Sequence, residues 1–546
     1  MADTSMDSVV DEDILTLGAL LAARAHLGAE EVLVFPDQRF TYAELNASAR
    51  LWAKAFMAAG VSAGDHVGLL FNTCPTFVDA MFGVAMAGAV TVPINARYQP
   101  PELTYVIENA DLVAVVADGT PNPVVDFADR LRQALPSLEG KSLSGETHCP
   151  EAPRLRRVVL TGERADAFFA AGAGVTDAAL DARIGAVRPD HLAIILYTSG
   201  TTSNPKGCML TQRGLVTNSR SLGRRYGLTA GDRFWSPLPM FHIASTLPLL
   251  AAIDAGGAYL TLAIFEAGVA LDMLEYEKAT HAYPCFVTIM QDLINHPRFA
   301  SADLSRVRVM NSNLAVQPLW IAQAMAKYLP GAAQVGTFGL TEGCGVICTS
   351  RPTDPYALRT GRLGVPLDGW EVRIIDPDTG ADQSIGLQGE IIARGVNGMV
   401  GYYRDPVKTA QALDAEGWIH TGDIGSMDAE GHIMFHGRFK DMLKVGGENV
   451  AAAEIEAVLD NHPAVRLSQV VGMPDERYAE VPAAFIELKD GAVATEAELI
   501  AFCTGKIARF KIPRKVCFVS DWPMSATKIQ KFQLRDSLLK DLERGL

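Results

Sequence analysis

Hydrophobic positions fall into two textures along the chain. Up to about residue 360, short unbroken apolar runs alternate with segments whose apolar residues recur three and four apart. His66-Val67-Gly68-Leu69-Leu70-Phe71 and Val90-Thr91-Val92-Pro93-Ile94 read as buried strands, with helices predicted over residues 48–56 and 77–87. The same pattern recurs at residues 112–117, 192–197, 258–262 and 308–310. Strands buried on both faces and separated by helices predict parallel sheets covered by helices, an α/β fold. Residues 119–189, rich in Pro, Gly and Arg, read as variable surface without chemistry.

After about residue 361 the alternation tightens to every second position, as in Trp370-Glu371-Val372-Arg373-Ile374-Ile375 and Gly389-Glu390-Ile391-Ile392-Ala393. That predicts antiparallel strands, here a small barrel-like part over residues 361–437. Beyond Gly437-Arg438 a helix over 453–459, strands at 469–471 and 483–488 and a helix from about Glu496 predict a separate α+β unit over residues 438–546. Residues 1–437 form the N-terminal unit in this reading.

Composition narrows the class. Hydrophobic residues are 49% and charged residues 20%, ordinary globular usage. A formal net charge of −15 argues against nucleic acid as a partner. Eight scattered cysteines show no disulfide framework, and the acidic N-terminal segment lacks a basic-then-apolar leader. The expected setting is therefore reducing and cytoplasmic. The most apolar stretches, residues 80–94 and 247–265, are short or interrupted, so no transmembrane segment is expected. His432 and His436 have the spacing of a zinc helix, but Gly431-His432-Ile433-Met434-Phe435-His436 alternates like a strand, which argues against metal there.

The richest segment is Leu196-Tyr197-Thr198-Ser199-Gly200-Thr201-Thr202-Ser203-Asn204-Pro205-Lys206-Gly207, placed between an apolar strand and a helix expected near Thr211. Its hydroxyls, backbone N–H groups and lysine suit a polyphosphate, although a flexible Ser/Thr/Gly turn would read the same. The Walker pattern does not fit it.

This segment resembles the phosphate loop of the adenylate-forming superfamily, which includes acyl-CoA synthetases, luciferases and peptide-synthetase adenylation domains. Further motifs follow in that family's order: Phe338-Gly339-Leu340-Thr341-Glu342, Trp418-Ile419-His420-Thr421-Gly422-Asp423, Gly437-Arg438-Phe439-Lys440-Asp441, Gly446-Gly447-Glu448-Asn449, and Pro523-Met524-Ser525-Ala526-Thr527-Lys528-Ile529-Gln530-Lys531. The resemblance starts near Phe40-Thr41-Tyr42-Ala43-Glu44-Leu45 and spans nearly the whole chain.

The resemblance implies an ATP-dependent carboxylic acid–CoA ligase. Thr198, Ser199, Gly200, Thr201, Thr202 and Lys206 would hold the phosphates, and Glu342 would hold Mg²⁺, a hard cation that prefers oxygen. Thr337, Phe338 and Gly339 would line the adenine, with Phe338 stacking unless it is a core aromatic, and Thr341 would also belong to the ATP/AMP site. Asp423 would bind the ribose hydroxyls, with Arg438 reaching the ribose or the α-phosphate. Lys528 would balance charge during adenylation. Asp441 would be the hinge of a mobile C-terminal domain, and Lys444, Gly446 and Gly447 would face CoA.

His242, Phe286, Asn313 and Leu314 would face the acyl substrate. The segments around them, Phe241-His242-Ile243 and Pro284-Cys285-Phe286-Val287-Thr288, are mostly apolar and include no acidic residue for an amino-acid ammonium, which favours a hydrophobic acid, whether aliphatic, aromatic or polycyclic. A free carrier protein is the alternative acceptor, and a luciferase-like oxygenase or a non-catalytic nucleotide sensor are remoter readings. A homodimer is left open. Three departures from the family pattern stand out. Ser203 replaces a glycine, the glycine before Lys528 is missing, which leaves Lys531 as an alternative catalytic lysine, and Asn311-Ser312-Asn313-Leu314-Ala315-Val316 replaces a small-residue turn.

Overall fold

A computed structural model of the 546-residue chain describes residues 13–120, 125–143, 145–198, 204–313, 319–445, 448–475, 477–525 and 528–544. Two large sheets dominate it. In the first, His66–Leu70 lies between Val90–Pro93 and Leu112–Ala117, with Leu192–Thr198 and Arg157–Leu160 extending it in parallel on either side. Every residue of His66–Leu70, Val90–Pro93 and Leu112–Ala117 is buried, which is why their apolar runs carry no alternation. The second sheet runs in parallel through Glu31–Val34, Ala258–Leu260, Arg233–Trp235, His281–Ala282, Val309–Asn313 and Ala333–Phe338.

Helices cover these sheets and join them. Tyr42–Ala58 starts in a capping box, Thr41 and Glu44 each satisfying the other's backbone N–H. It packs on Pro75–Met86 so closely that a Cβ at Gly83 would come within 2.3 Å of Trp52. Gln212–Tyr226 and Ile243–Ala255 lie against each other within the main core, tied by a buried Arg220–Asp254 ion pair at 3.0 Å.

Two sequence expectations need correction. The helix expected near Thr211 does begin there, at Gln212, but a strand not expected, Lys206–Thr211, precedes it and turns back antiparallel on Leu192–Thr198. The described ends of the phosphate-loop segment, Thr198 and Lys206, therefore lie on two paired antiparallel strands rather than between a strand and a helix. Within residues 119–189, read as surface, Arg157–Leu160 is a nearly fully buried strand of the first sheet.

The segment read as barrel-like folds as four antiparallel strands in the order Trp370–Ile375, Gly389–Gly395, Ile419–Met427 and Ile433–Arg438. A smaller α+β unit follows. Its sheet joins Glu448–Ala451, Met442–Val445, Ala479–Leu488 and Val465–Asp475, with Lys515–Phe518 added in parallel. The helices Ala452–Leu459 and Glu496–Cys503 close its own apolar cluster. The described cysteines are all free, and no described helix is long and apolar enough to cross a membrane.

Candidate active site

The antiparallel pair Leu192–Thr198 and Lys206–Thr211 sets the first part of the site. Thr198 and Lys206 stand opposite each other at the end of the two strands nearest the connecting segment, while Ser199, Gly200, Thr201 and Thr202 lie outside the described residues. On the outer side of Lys206–Thr211, the short strand Gly401–Tyr402 adds antiparallel pairing, with Tyr402 opposite Cys208. This brings the phenol of Tyr402 beneath Lys206, whose Nζ lies 4.3 Å from the ring centroid and donates to the hydroxyl at 3.2 Å. The same hydroxyl donates to Glu342 Oε1 at 2.6 Å. Burial and the Glu342 charge push the Tyr402 phenol well above its ordinary range, so it stays protonated and keeps donating.

Glu342 sits in the single 3₁₀ turn Thr341–Gly343 just past the strand Ala333–Phe338, and its backbone carbonyl accepts from Met399 N–H at 2.8 Å. Among the described residues its second carboxylate oxygen has no hydrogen-bond partner. A hard oxygen donor beside a lysine, both fixed by one phenol, fits a divalent cation shared with phosphates. Two thiols border this region. Cys208 and Cys344 are fully buried, and burial pushes both up, with the Glu342 charge adding to the effect on Cys208.

Tyr402 was not singled out in the sequence. Its only signal there is an aromatic after Gly401, and its role comes from an edge-strand pairing that no periodicity reports.

The second part lies on the four-stranded sheet. Asp423 and Arg438 face each other in register, and Arg438 Nε meets Asp423 Oδ1 at 2.8 Å. The Asp423 side chain is 2% exposed and that of Arg438 35%, so the guanidinium spans from a buried carboxylate to open space. Gly437, just before it, has φ +148, a conformation that side-chain-bearing residues rarely adopt.

Thr337 shares hydrogen bonds with Asn311 Nδ2 and with Thr349 Oγ1, the latter at 3.0 Å. A Cβ at Gly339 would lie 1.8 Å from the Gly345 carbonyl oxygen, so only glycine fits there. Phe338 is 4% exposed and belongs to the main core, so in this structure it is a packed core aromatic and not an open stacking face.

The third part is a cavity of about 320 Å³ between the large and small units. Its walls include Phe286 and Thr288 from one side, Arg438 and Asp441 from the linking segment, and Glu456 and Lys531 from the small unit. Phe286 caps the helix Val287–Asn295, and His242 caps Ile243–Ala255, its ring 4.8 Å from that of Phe241. Asn313 ends the strand Val309–Asn313, and Leu314 lies outside the described residues.

Asp441 closes the 3₁₀ turn Phe439–Asp441, from which the strand Met442–Val445 departs. Lys528 opens the strand Lys528–Ile529, which pairs with Met524–Ser525. Lys444 is exposed and donates its backbone N–H to Glu480 at 2.9 Å, apart from the cavity walls. Gly446 and Gly447 lie outside the described residues. His432 and His436 part company, the first pairing with Asp428 at 3.2 Å and the second with Ser426 at 2.8 Å.

Comparison with known proteins identifies the family. Residues 21–403 match the AMP-binding enzyme family, and residues 454–528 match the AMP-binding enzyme C-terminal domain. A 7a-methyl-1,5-dioxo-octahydro-1H-inden-4-yl propanoyl:CoA ligase of Rhodococcus jostii (strain RHA1) is 33% identical over 538 residues, covering 97% of this chain and 99% of that one. The mitochondrial medium-chain acyl-CoA ligase ACSF2 of Rattus norvegicus is 32% identical over 528 residues, covering 94% and 85%. The crystal structure of the anthranilate CoA ligase AuaEII in complex with anthranoyl-AMP superimposes with a TM-score of 0.81 at 26% identity, covering 96% and 97%. With matches across both of its parts and relatives aligned nearly end to end, the chain belongs to the AMP-binding enzyme family.

Proposed function

We propose that this protein joins a hydrophobic carboxylic acid to coenzyme A at the expense of ATP, in two steps at one site. In the first, a carboxylate oxygen of the acid attacks the α-phosphorus of ATP. A C–O–P linkage forms, the bond to the β-phosphate oxygen breaks, and pyrophosphate leaves with the electron pair. In the second, the CoA sulfur attacks the acyl carbon, a C–S bond forms, AMP departs, and the thiol proton passes to solvent.

The reacting groups of the first step are anions, so what the protein supplies is positioning and opposite charge. Thr198 and Lys206 would hold the β- and γ-phosphates at the end of their two strands. Glu342 would hold Mg²⁺, which supplies charge neutralisation on the phosphate oxygens. Asp423 would accept two ribose hydroxyls while Arg438, already bound to it, extends toward the α-phosphate. Lys528 would add the last cation as the small unit closes, and Asp441 would be the pivot that later swings it away, with the chain dividing near residues 437–438.

The observation that carries this reading is the Lys206–Tyr402–Glu342 cluster, in which one phenol organises a phosphate-type cation and a metal-type carboxylate. The hydrophobic character of the acid is supported by Phe286 and Val287 in the cavity wall and by relatives named for bicyclic, medium-chain and aromatic acids.

The test is a panel of aliphatic, aromatic and polycyclic acids incubated with ATP, Mg²⁺ and CoA, with thioester detected by mass and AMP and pyrophosphate measured together. Thioester with stoichiometric AMP supports the reading. Pyrophosphate release without thioester, restored by a phosphopantetheinylated carrier protein, would move the acceptor from CoA to a carrier. No pyrophosphate from any acid would sink it.

A further inference from the structure

Lys528 sits on a two-stranded hairpin, and the structure shows what holds that hairpin. Met524 pairs with Ile529 and Ser525 with Lys528. At its base Gln530 N–H donates to the Pro523 carbonyl at 2.8 Å. Ile529 and Trp522 rest on a small apolar cluster with Phe485, Leu534 and Leu538, and Trp522 Nε1 donates to Glu487 at 2.7 Å.

One further anchor is ionic. Lys531, the first residue of the helix Lys531–Glu543, places Nζ 2.6 Å from Glu456 Oε1. The Glu456 side chain is only 7% exposed and the Lys531 side chain 20%. The same Glu456 oxygen accepts the backbone N–H of Val470 at 2.6 Å, which ties the carboxylate to the strand Val465–Asp475. Its rotamer is therefore set before Lys531 arrives.

Asp460, one turn along the helix, is 4% exposed, and burial, together with the Glu456 charge, pushes its carboxyl up to about 8. Burial thus holds it toward its uncharged form, and the lysine's ion pair is made with Glu456. Glu456 and Lys531 both face the cavity whose far wall is Phe286, Thr288 and Arg438.

We propose that Glu456 is a positioning residue for the adenylation step: it fixes Lys531, and through Lys531 the direction in which the hairpin carries Lys528 into the cavity. Lys531 is then an anchor and not itself the reacting cation. The proposal rests on the reading that Lys528 is the adenylating lysine. Beside the apolar cluster and the Trp522–Glu487 hydrogen bond, the ion pair is the hairpin's charged anchor on the cavity side. Removing it shifts the hairpin's aim, and a displacement of about 1 Å costs up to roughly 100-fold in rate.

The experiment measures the two half-reactions separately in full-length Glu456→Gln, Lys531→Met, Lys531→Arg and Lys528→Ala. Adenylation is followed as acid-dependent pyrophosphate exchange, and thioester formation is followed from supplied acyl-adenylate and CoA. Glu456→Gln and Lys531→Met are expected to lower the adenylation kcat roughly 10- to 100-fold with KM for ATP nearly unchanged. The thioester step should be largely spared in both.

Lys531→Arg keeps the ion pair and should restore adenylation to within about threefold of the parent. Equal loss of both half-reactions in Glu456→Gln and Lys531→Met would make the pair merely structural and overturn the proposal. Full adenylation in those two variants with none in Lys528→Ala would also overturn it, while leaving the function intact. A Lys528→Ala that still adenylates, alongside an inert Lys531→Arg, would overturn the underlying assignment of Lys528 instead.

Discussion

Arg438 reaches across from the neighbouring strand to hold the carboxylate of Asp423, Nε to Oδ1 at 2.8 Å, with one partner buried and the other open to the cavity. The aspartate is therefore oriented and desolvated before a nucleotide arrives. Replacing it by Asp423→Asn keeps the shape but removes the charged acceptor, a loss of about 1.5–3 kcal/mol for hydrogen bonds to a charged group. KM for ATP in the pyrophosphate exchange assay should rise roughly 10- to 100-fold. An unchanged KM would take Asp423 out of nucleotide binding.

Tyr402→Phe tests the phosphate end. The ring remains under Lys206, but the hydroxyl joining lysine and Glu342 is gone. Losing a buried donor to a carboxylate costs about 1–3 kcal/mol, so kcat/KM for ATP should fall roughly 5- to 100-fold. A variant indistinguishable from the parent across a Mg²⁺ titration would show that the phenol is only packing.

Asp441 lies where the linking turn gives way to the small unit, and proline there restricts φ. Asp441→Pro should slow thioester formation from supplied acyl-adenylate more than tenfold as an order of magnitude, and adenylation much less. Matching losses in the two assays would speak against a pivot at this residue.

The two units are also clasped at a distance from the chemistry. Arg466 bonds Asp292 at 3.0 Å and Glu487 at 2.9 Å, and its carbonyl accepts from Gln291 Nε2 at 2.8 Å. Both Arg466 and Asp292 side chains are over a third exposed, so the pair is worth only about 0.2–1 kcal/mol. A double-mutant cycle of Asp292→Ala and Arg466→Ala should show that coupling in the adenylation rate and none in the thioester rate. Coupling of equal size in both would mean that the clasp does not belong to one posture.

Asp79, on the helix Pro75–Met86, has Ser48 as its hydrogen-bonding neighbour, and burial pushes its carboxyl up to about 7. The folded state therefore binds a proton that the unfolded state has already released above pH ~4. Stability should fall as pH rises from about 4 to 7 and level off above, a penalty of roughly 4 kcal/mol at most. Asp79→Asn should melt higher than the parent at pH 8, with the gap closing toward pH 4. A pH-independent difference in melting temperature would contradict the assignment.

The strands of the two large sheets were legible because both their faces are covered, which leaves unbroken apolar runs such as Leu112–Ala117. Asp423 and Arg438 were legible as members of motifs, although their mutual contact was not. What escaped depends on pairing between distant segments. Lys206–Thr211 shows no clean alternation, runs straight into helical periodicity, and is a strand because Leu192–Thr198 offers it an edge. Tyr402 joins the site only because a two-residue strand docks on that edge. The motif leaves Phe338 open as a stacking ring or a core aromatic, and the packing around the strand Ala333–Phe338 buries it.

An acyl-adenylate would acylate any ionised sulfur within reach, its own enzyme's included. Cys208 and Cys344, entombed beside the phosphate end with their thiols held protonated, are poor nucleophiles and sterically shut off. Neither of these two sulfurs is therefore available to capture an activated acyl group formed beside them.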